Sequence, residues 1–244
     1  MHASGRAHMQ LCIETYLRRR RHYEVVDFGS RSATNPEGTH TDLFARYDCS
    51  FTGVDILAGP GVDVVMKKPY RIPLKSNSVD LIISGQTFEH IPFFWVSFLE
   101  MIRILKPGGL IFITAPSRGH EHATMDLWRY YPDSMRALAA FGRMRLLEMH
   151  TDLPPRVAGT RRLNYSGIDA RNAYWGDSVG VFRKPKQYSK LVVFAREPLI
   201  WWANRVGGIE HIQKPSPLPE RKAVGRGLWA ARPLPTKKPA AQRV

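Results

Sequence analysis

Residues 72–117 read IPLKSNSVDLIISGQTFEHIPFFWVSFLEMIRILKPGGLIFITAPS, and this stretch decides the fold. Two short β-branched runs, SVDLIISG (78–85) and LIFITAP (110–116), flank the apolar segment FFWVSFLEMIRILK (93–106). The runs read as strands, and the segment between them reads as a helix stopped by Pro107-Gly108-Gly109. Strand, helix and strand in that order make a crossover unit of a parallel sheet.

The same alternation continues in both directions. Before it come a helical stretch (7–21) and three apolar runs that read as strands: YEVVDFG (23–29), SFTGVDI (50–56) and the short VDVVM (62–66). After it come a helix from Asp133 to Phe141 and a strand, RLLEMHT (145–151). Residues 152–190 have no clean period and read as loops plus a strand or two, with LVVFA (191–195) expected as the last sheet strand. The fold class expected is α/β, a parallel sheet covered by helices on both faces. Residues 1–212 are expected to form one domain, and no repeat is apparent.

Composition fits that reading. Of 244 residues, 43% are hydrophobic and 23% charged, ordinary values for a globular chain. No apolar run approaches the roughly 18–20 residues needed to span a bilayer. The basic block Arg18–Arg21 follows an amphipathic stretch, the reverse of a secretory signal, so a cytoplasmic location is expected. Two cysteines, Cys12 and Cys49, cannot build a disulfide framework or a cysteine zinc site. The net charge is +15, and residues 213–244 hold eight Lys/Arg against one Glu among many prolines. This segment reads as a poorly ordered basic tail, either simply solvated or an arm for an anionic polymer, nucleic acid or membrane surface.

In such a sheet, ligands sit at the carboxyl ends of the strands. The first strand ends with Asp27, Gly29 and Ser30, and the second with Asp55, an acid placed to accept both hydroxyls of a ribose. The loop GSRSATNPEG (29–38) lacks the G-x-G-x-x-G cradle of a dinucleotide site, which argues against NAD or FAD. The order VVDFGS, FTGVDI, IPLKSNSVDLIISGQTFEHI, EMIRILKPGGLIFITAPS resembles a class I S-adenosylmethionine-dependent methyltransferase over residues 22–150. The resemblance implies a Rossmann-like seven-stranded sheet with helices on both faces, and S-adenosylmethionine as cofactor. Asp27, Gly29 and Ser30 would flank its amino-acid part, Asp55 would hold the ribose, and Ser84 and Gly85 would lie beside the sulfonium. Arg31 and Ala33 stand where relatives carry first-loop glycines. Lys67, Lys68 and Arg71 precede the Ile72-Pro73-Leu74 element, and adenine contacts are not assigned.

Methyl transfer is an in-line displacement, so the enzyme aligns the acceptor and deals with its proton. If Gln86 opens a helical turn, Gln86, Glu89 and His90 share one face at i, i+3 and i+4. A later loop, SRGHEHATMDLWRYYPDS (117–134), supplies His120, Glu121, His122 and Asp126 at the same end of the sheet. The pattern resembles the E-x-x-E-H turn and H-x-H loop of small-RNA 2′-O-methyltransferases, and the E-x-x-E-H turn of ubiquinone-pathway O-methyltransferases. That resemblance implies a divalent ion, Mg²⁺ or Mn²⁺, held by Glu89, His90, His122 and Gln86, the last in place of a glutamate. Such an ion acidifies and orients a hydroxyl. Without one, His120, His122 or His90 would act as a plain base.

The segment from His120 or His122 through MDLWRYYPD resembles methyltransferases of bacterial polysaccharide and glycoside pathways, mannoside O-methyltransferases among them. This implies a sugar or oligosaccharide acceptor. Trp128, Tyr130, Tyr131, Tyr174 and Trp175 would stack on sugar rings, and Asp126, Arg129 and Asp169 would take hydroxyls. Two alternatives stay open: an RNA 2′-O-methyltransferase, or a non-catalytic protein built on the same fold. No RNA-binding module is recognisable.

Overall fold

The computed structural model describes residues 3–32, 40–119, 125–152, 175–188 and 190–206. The chain runs α1 (Ala3–Tyr16), β1 (Tyr23–Phe28), a 3-10 turn (His40–Phe44), β2 (Cys49–Asp55), β3 (Val64–Val65) and β4 (Val79–Gly85). It continues through a second 3-10 turn (Phe88–His90), α2 (Phe94–Ile104), β5 (Leu105–Arg118), α3 (Pro132–Phe141), β6 (Arg145–Thr151), β7 (Gly176–Arg183) and α4 (Lys190–Val206). The seven strands form one sheet in the order β3-β2-β1-β4-β5-β7-β6. The strands from β3 to β5 are parallel, whereas β7 runs antiparallel to both β5 and β6. The sheet is therefore mixed rather than wholly parallel.

Central strands carry continuous apolar runs because both sheet faces are covered. Successive side chains point to opposite faces. Val25, Leu81, Ile83 and Phe112 meet Met9, Cys12 and Ile13, a helical-period stripe of α1, and Leu17 just beyond its end. Val26, Phe28, Ile82, Ile111 and Ile113 face the other way, into a core shared with α2 and α3 through Phe98, Met101, Ile102, Met135 and Leu138. At the foot of β7, Lys184 is buried and donates to Asn77 Oδ1 (2.8 Å), the Ile102 carbonyl (2.8 Å) and the Leu105 carbonyl (2.6 Å). Its three ammonium protons hold the end of α2, the start of β5 and the turn before β4.

Three expectations are corrected. The first helix ends at Tyr16, so Arg18–Arg21 follow it, and Arg21 reaches back to Asp80 (2.7 Å). The last strand is Gly176–Arg183, where Val179 and Val181 alternate around Gly180. LVVFA (191–195) lies in α4 instead of the sheet. Its five residues favour β locally, but they open a longer pattern. Arg196, Leu199, Ile200 and Ala203 fall at i, i+3, i+4 and i+7 and turn inward against the structure. The helical period over the longer window prevails. The expected tail, 213–244, lies outside the described residues.

Candidate functional site

The site begins where β1 and β2 end side by side, with Asp27 opposite Gly53 and Phe28 opposite Val54. The chain then turns sharply, and the amides of Gly29 and Ser30 both donate to the Val54 carbonyl (2.8 and 3.3 Å). Gly29 has φ +82°, and a Cβ there would fall 2.2 Å from the Thr87 side chain. The turn after β4 is thus in contact with the turn after β1, and only glycine fits both the angle and the space. At Gly53 a Cβ would fall 1.9 Å from the Gly61 carbonyl oxygen.

Polar groups at this end are anchored to backbone. Asp55, partly exposed, accepts the amides of Arg31 (3.1 Å) and Leu57 (3.0 Å), one on each oxygen. That fixes the carboxylate and leaves each oxygen a further lone pair. Asp27 is buried and takes a hydrogen bond from His40 Nδ1 on Oδ2 (2.7 Å), while its Oδ1 has no partner. The Ser30 hydroxyl is also buried without a partner. A glycine cradle, two orphaned polar atoms and an oriented carboxylate fit the amino-acid and ribose parts of S-adenosylmethionine. Ser84, expected beside the sulfonium, has a fully buried hydroxyl that donates to the Phe28 carbonyl (2.9 Å), tying the end of β4 to the end of β1. Gly85 ends β4 and is buried.

The turn after β4 is built differently from the sequence expectation. Gln86 has φ +54°, so it reverses the chain before the helical turn starts at Phe88 and does not share a face with Glu89 and His90. Its amide nitrogen donates to Asp177 Oδ1 (2.9 Å), which turns the side chain toward β7, while its Oε1 is buried with no hydrogen-bond partner among the described residues. Glu89 is 0% exposed, and among the described residues no other residue gives either carboxylate oxygen a hydrogen bond. Burial pushes its carboxyl up to about 8, helped by the negative charges of Asp126 and Asp177. His90 places Nδ1 on the Met125 carbonyl oxygen and Nε2 3.6 Å from Glu89 Oε1.

Residues 125–130 strap this turn. The Leu127 amide donates to the Glu89 carbonyl (2.8 Å), Trp128 Nε1 to the Ile91 carbonyl (3.1 Å) and the Tyr130 hydroxyl to the Phe88 carbonyl (2.9 Å). Arg129 grips the Asp126 carboxylate with both terminal nitrogens. Tyr130 is 2% exposed and packs against Phe88 and Phe94, so it is a wall of the core and not a sugar platform. Trp128 is exposed and meets Phe94 edge-on, Tyr131 is exposed, and Trp175 is half-buried over Gly119.

Two groups here have the chemistry of metal donors. With Nδ1 hydrogen-bonded to a carbonyl, as ligating histidines commonly are, His90 offers Nε2 beside the Glu89 carboxylate. Among the described residues no group of three His, Cys, Asp or Glu stands close enough to hold a metal. The expected His120 and His122, and with them Tyr174 and Asp169, lie outside the described residues.

Sequence reading missed three residues at this end. Asp177, fully buried at the start of β7, accepts Gln86 Nε2 and the Ser4 hydroxyl of α1. Its signal was an acid at the head of the alternating run SVGVF. His40 and Thr87 carry no motif; only the fold brings them to Asp27 and Gly29.

Strand order 3-2-1-4-5-7-6, with the seventh strand antiparallel to its neighbours, is that of the class I methyltransferase fold. Residues 35–113 match a family described as a methyltransferase domain. An uncharacterized methyltransferase of Mycobacterium sp. (strain JLS) is 26% identical over 188 residues, 70% of this chain and 67% of the relative. One from Mycobacterium ulcerans (strain Agy99) is 33% identical over 90 residues, 35% of this chain and 33% of the relative. Among solved structures, the Burkholderia thailandensis 1,6-didemethyltoxoflavin-N1-methyltransferase with bound S-adenosylhomocysteine aligns with TM-score 0.51 at 14% identity, covering 75% and 77% of the two chains. The [4+2]-cyclase SpnF aligns with TM-score 0.53 at 14% identity, covering 74% and 81%. These structural likenesses show the fold. The domain match and the mycobacterial relatives show that the chain is similar to methyltransferases.

Proposed function

We propose that the chain is an S-adenosylmethionine-dependent O-methyltransferase acting on a sugar hydroxyl, of a mannoside or oligosaccharide, with a divalent ion assisting. One observation carries the reading: a fully buried carboxylate, Glu89, without a hydrogen-bond partner from another described residue, beside the His90 imidazole at the tip of β4. A carboxylate in that state is costly to the fold unless a proton or a cation joins it. The cofactor supplies an already activated methyl group. Gly29, Ser30, Asp27 and Asp55 would hold and orient it. Glu89 and His90, with His122 from the following loop, would hold the ion, whose Lewis acidity lowers a hydroxyl pKa. In the ion's absence, Glu89 with its raised pKa would take the acceptor's proton. Trp128, Tyr131 and Trp175 are the aromatic surfaces for a sugar, and Asp126 with Arg129 the polar pair beside it. The residues of 1–212 would suffice for this, with the basic tail at 213–244 an appendage for an anionic polymer.

The test is methyl transfer from labelled cofactor to mannosides and to short RNA, with and without chelator. Transfer to a mannoside that falls at least tenfold in chelator supports the reading. Full activity in chelator removes the ion and leaves Glu89 or a histidine as the base. Transfer to RNA but to no glycoside replaces the sugar by a ribose 2′-hydroxyl. The SpnF likeness is a reason to measure methyl transfer directly, because a shared fold does not fix the reaction.

A further inference from the structure

Helix α4 has two apolar faces, and among the described residues only one is packed against the rest of the chain. Arg196, Ile200 and Ala203 are buried, with Ile200 and Ala203 packing against Tyr70 and Val96. On the opposite side Phe194 (80% exposed), Pro198, Trp201 (64%) and Arg205 form a stripe at i, i+4, i+7 and i+11, with Trp202 (46%) beside it. Exposed aromatics in a contiguous stripe mark a contact surface.

The rim of this stripe is cationic. A groove of about 380 Å³ opens between α4 and the tight turn Lys68–Arg71, lined by Lys68, Arg71, Trp201, Asn204 and Arg205, with Glu197 the one acid. Asn204 fixes the turn to the helix by accepting the Tyr70 amide (2.9 Å). Glu197 is taken up by Arg71 (3.1 Å). Lys68 and Arg205 have no acidic partner among the described residues.

We propose that the exposed face of α4 and the Lys68–Arg71 turn dock on an anionic membrane surface. Charge selects an anionic occupant, and the aromatic geometry selects lipid over nucleic acid. Base stacking needs free ring faces. Here the Trp201 ring carries the Arg205 guanidinium at 5.4 Å, and the Trp202 ring lies 5.4 Å from Phe93 at 30°. What remains outward is apolar bulk, the form in which Trp and Phe enter a headgroup layer while neighbouring Lys and Arg meet lipid phosphates. No helix among the described residues is long and apolar enough to cross a membrane, so contact through α4 would be along the surface.

The test is co-sedimentation of the full chain with vesicles of phosphatidylcholine containing phosphatidylglycerol, against phosphatidylcholine alone, with tryptophan emission read in parallel. Binding to the anionic vesicles only, a blue-shifted emission and weakening by salt are expected. Phe194→Ser and Trp201→Ser should each lower partition about tenfold with unchanged melting, and Trp201→Phe should restore most of it. Absence of binding to anionic vesicles overturns the proposal. Binding that survives the double variant Phe194→Ser/Trp201→Ser also overturns it, by assigning the contact to the tail. So does a dimer, or retention of short RNA, that the double variant abolishes while vesicles are never bound.

Discussion

The two halves of the strand-end surface are built on opposite principles. At the tips of β1 and β2 the ligand-facing groups are held by main chain: Asp55 by two amides, the Gly29–Ser30 turn by the Val54 carbonyl. At the ends of β4 and β5 and the start of β7, side-chain pairs (Gln86 with Asp177, Arg129 with Asp126) add to the bonds that strap residues 125–130 to the turn, and Glu89 is left without a hydrogen-bond partner from another residue among those described. Main-chain anchoring gives a rigid cradle that does not depend on which acceptor is methylated. Side-chain anchoring with an unsatisfied acid gives a costly region that can be tuned to a substrate. If this contrast holds, changes in the first half act through backbone geometry, and changes in the second exchange stability against chemistry.

The largest effect is expected at Gly29. Gly29→Ala forces an L side chain to φ +82° and drives its Cβ into Thr87. Strain and clash together should cost about 3 kcal/mol or more and abolish measurable cofactor binding. Denaturant unfolding and calorimetric titration with S-adenosylmethionine check this. Gly29→Ala with Thr87→Gly should recover the clash and not the backbone strain. Unaltered cofactor affinity in Gly29→Ala would break the picture of a backbone cradle.

Glu89 offers the opposite outcome. Its carboxyl is raised to about 8 from an unfolded value of 4.5. Between those values the folded chain binds more protons than the unfolded one, so stability is fully present below about 4.5 and is lost as pH rises through about 8. With chelator present, Glu89→Gln should flatten that dependence and gain on the order of 3 kcal/mol at pH 8, while lowering turnover at least a hundredfold. Unfolding free energies across pH, together with the transfer assay, test both halves. A variant that is more stable and fully active would mean Glu89 has no part in the reaction.

Asp55→Ala sharpens the first half. The cofactor should bind more weakly by about 1.5–3 kcal/mol, the loss of charge-assisted hydrogen bonds to two hydroxyls. Folding should change less, since the amides of Arg31 and Leu57 lie near the surface and water can replace the carboxylate. Calorimetry giving equal affinities in the folded variant would remove Asp55 from the ribose site.

How much of this was legible in the sequence follows the same divide. Strands β1, β2, β4 and β5 were readable because burial on both faces demands continuous apolar runs with punctuating acids and glycines, and Asp27, Gly29 and Asp55 came with them. Gln86 was misread because nothing in GQTFEH signals that a glutamine takes a left-handed angle. Tyr130 was misread because an aromatic beside Trp and Arg looks alike in a core wall and in a sugar site. Strand β7 lies in the segment read only as loops plus a strand or two, so its bounds and Asp177 were not placed; the Asp177 carboxylate meets Ser4 of α1 and Gln86 of the turn after β4. Long-range polar pairing of that kind leaves no local trace.

The smallest effect tests whether α1 belongs to the side-chain half. His8 of α1 lies 2.8 Å from Asp152 at the end of β6, and its other ring nitrogen is 3.3 Å from His150. The hydrogen bond to Asp152 raises the His8 pKa above 6.5, partly offset by burial, and lowers that of Asp152 below 3.8. The His8 contribution is therefore fully present below 6.5 and lost as pH rises through its raised value. The Asp152 contribution is present above 3.8 and lost as pH falls through its lowered value. The pair stabilises most between about pH 4 and 6.5, by about 1 kcal/mol given its partial exposure. His8→Ala should cost that amount at pH 6 and clearly less at pH 9, where a neutral imidazole keeps only an ordinary hydrogen bond. Because the same helix donates Ser4 to Asp177, a loosened α1 should also raise the KM for the acceptor more than that for the cofactor. Equal unfolding costs at the two pH values would show that His8 serves packing alone, and a rise confined to the cofactor KM would move α1 to the backbone-built half of the site.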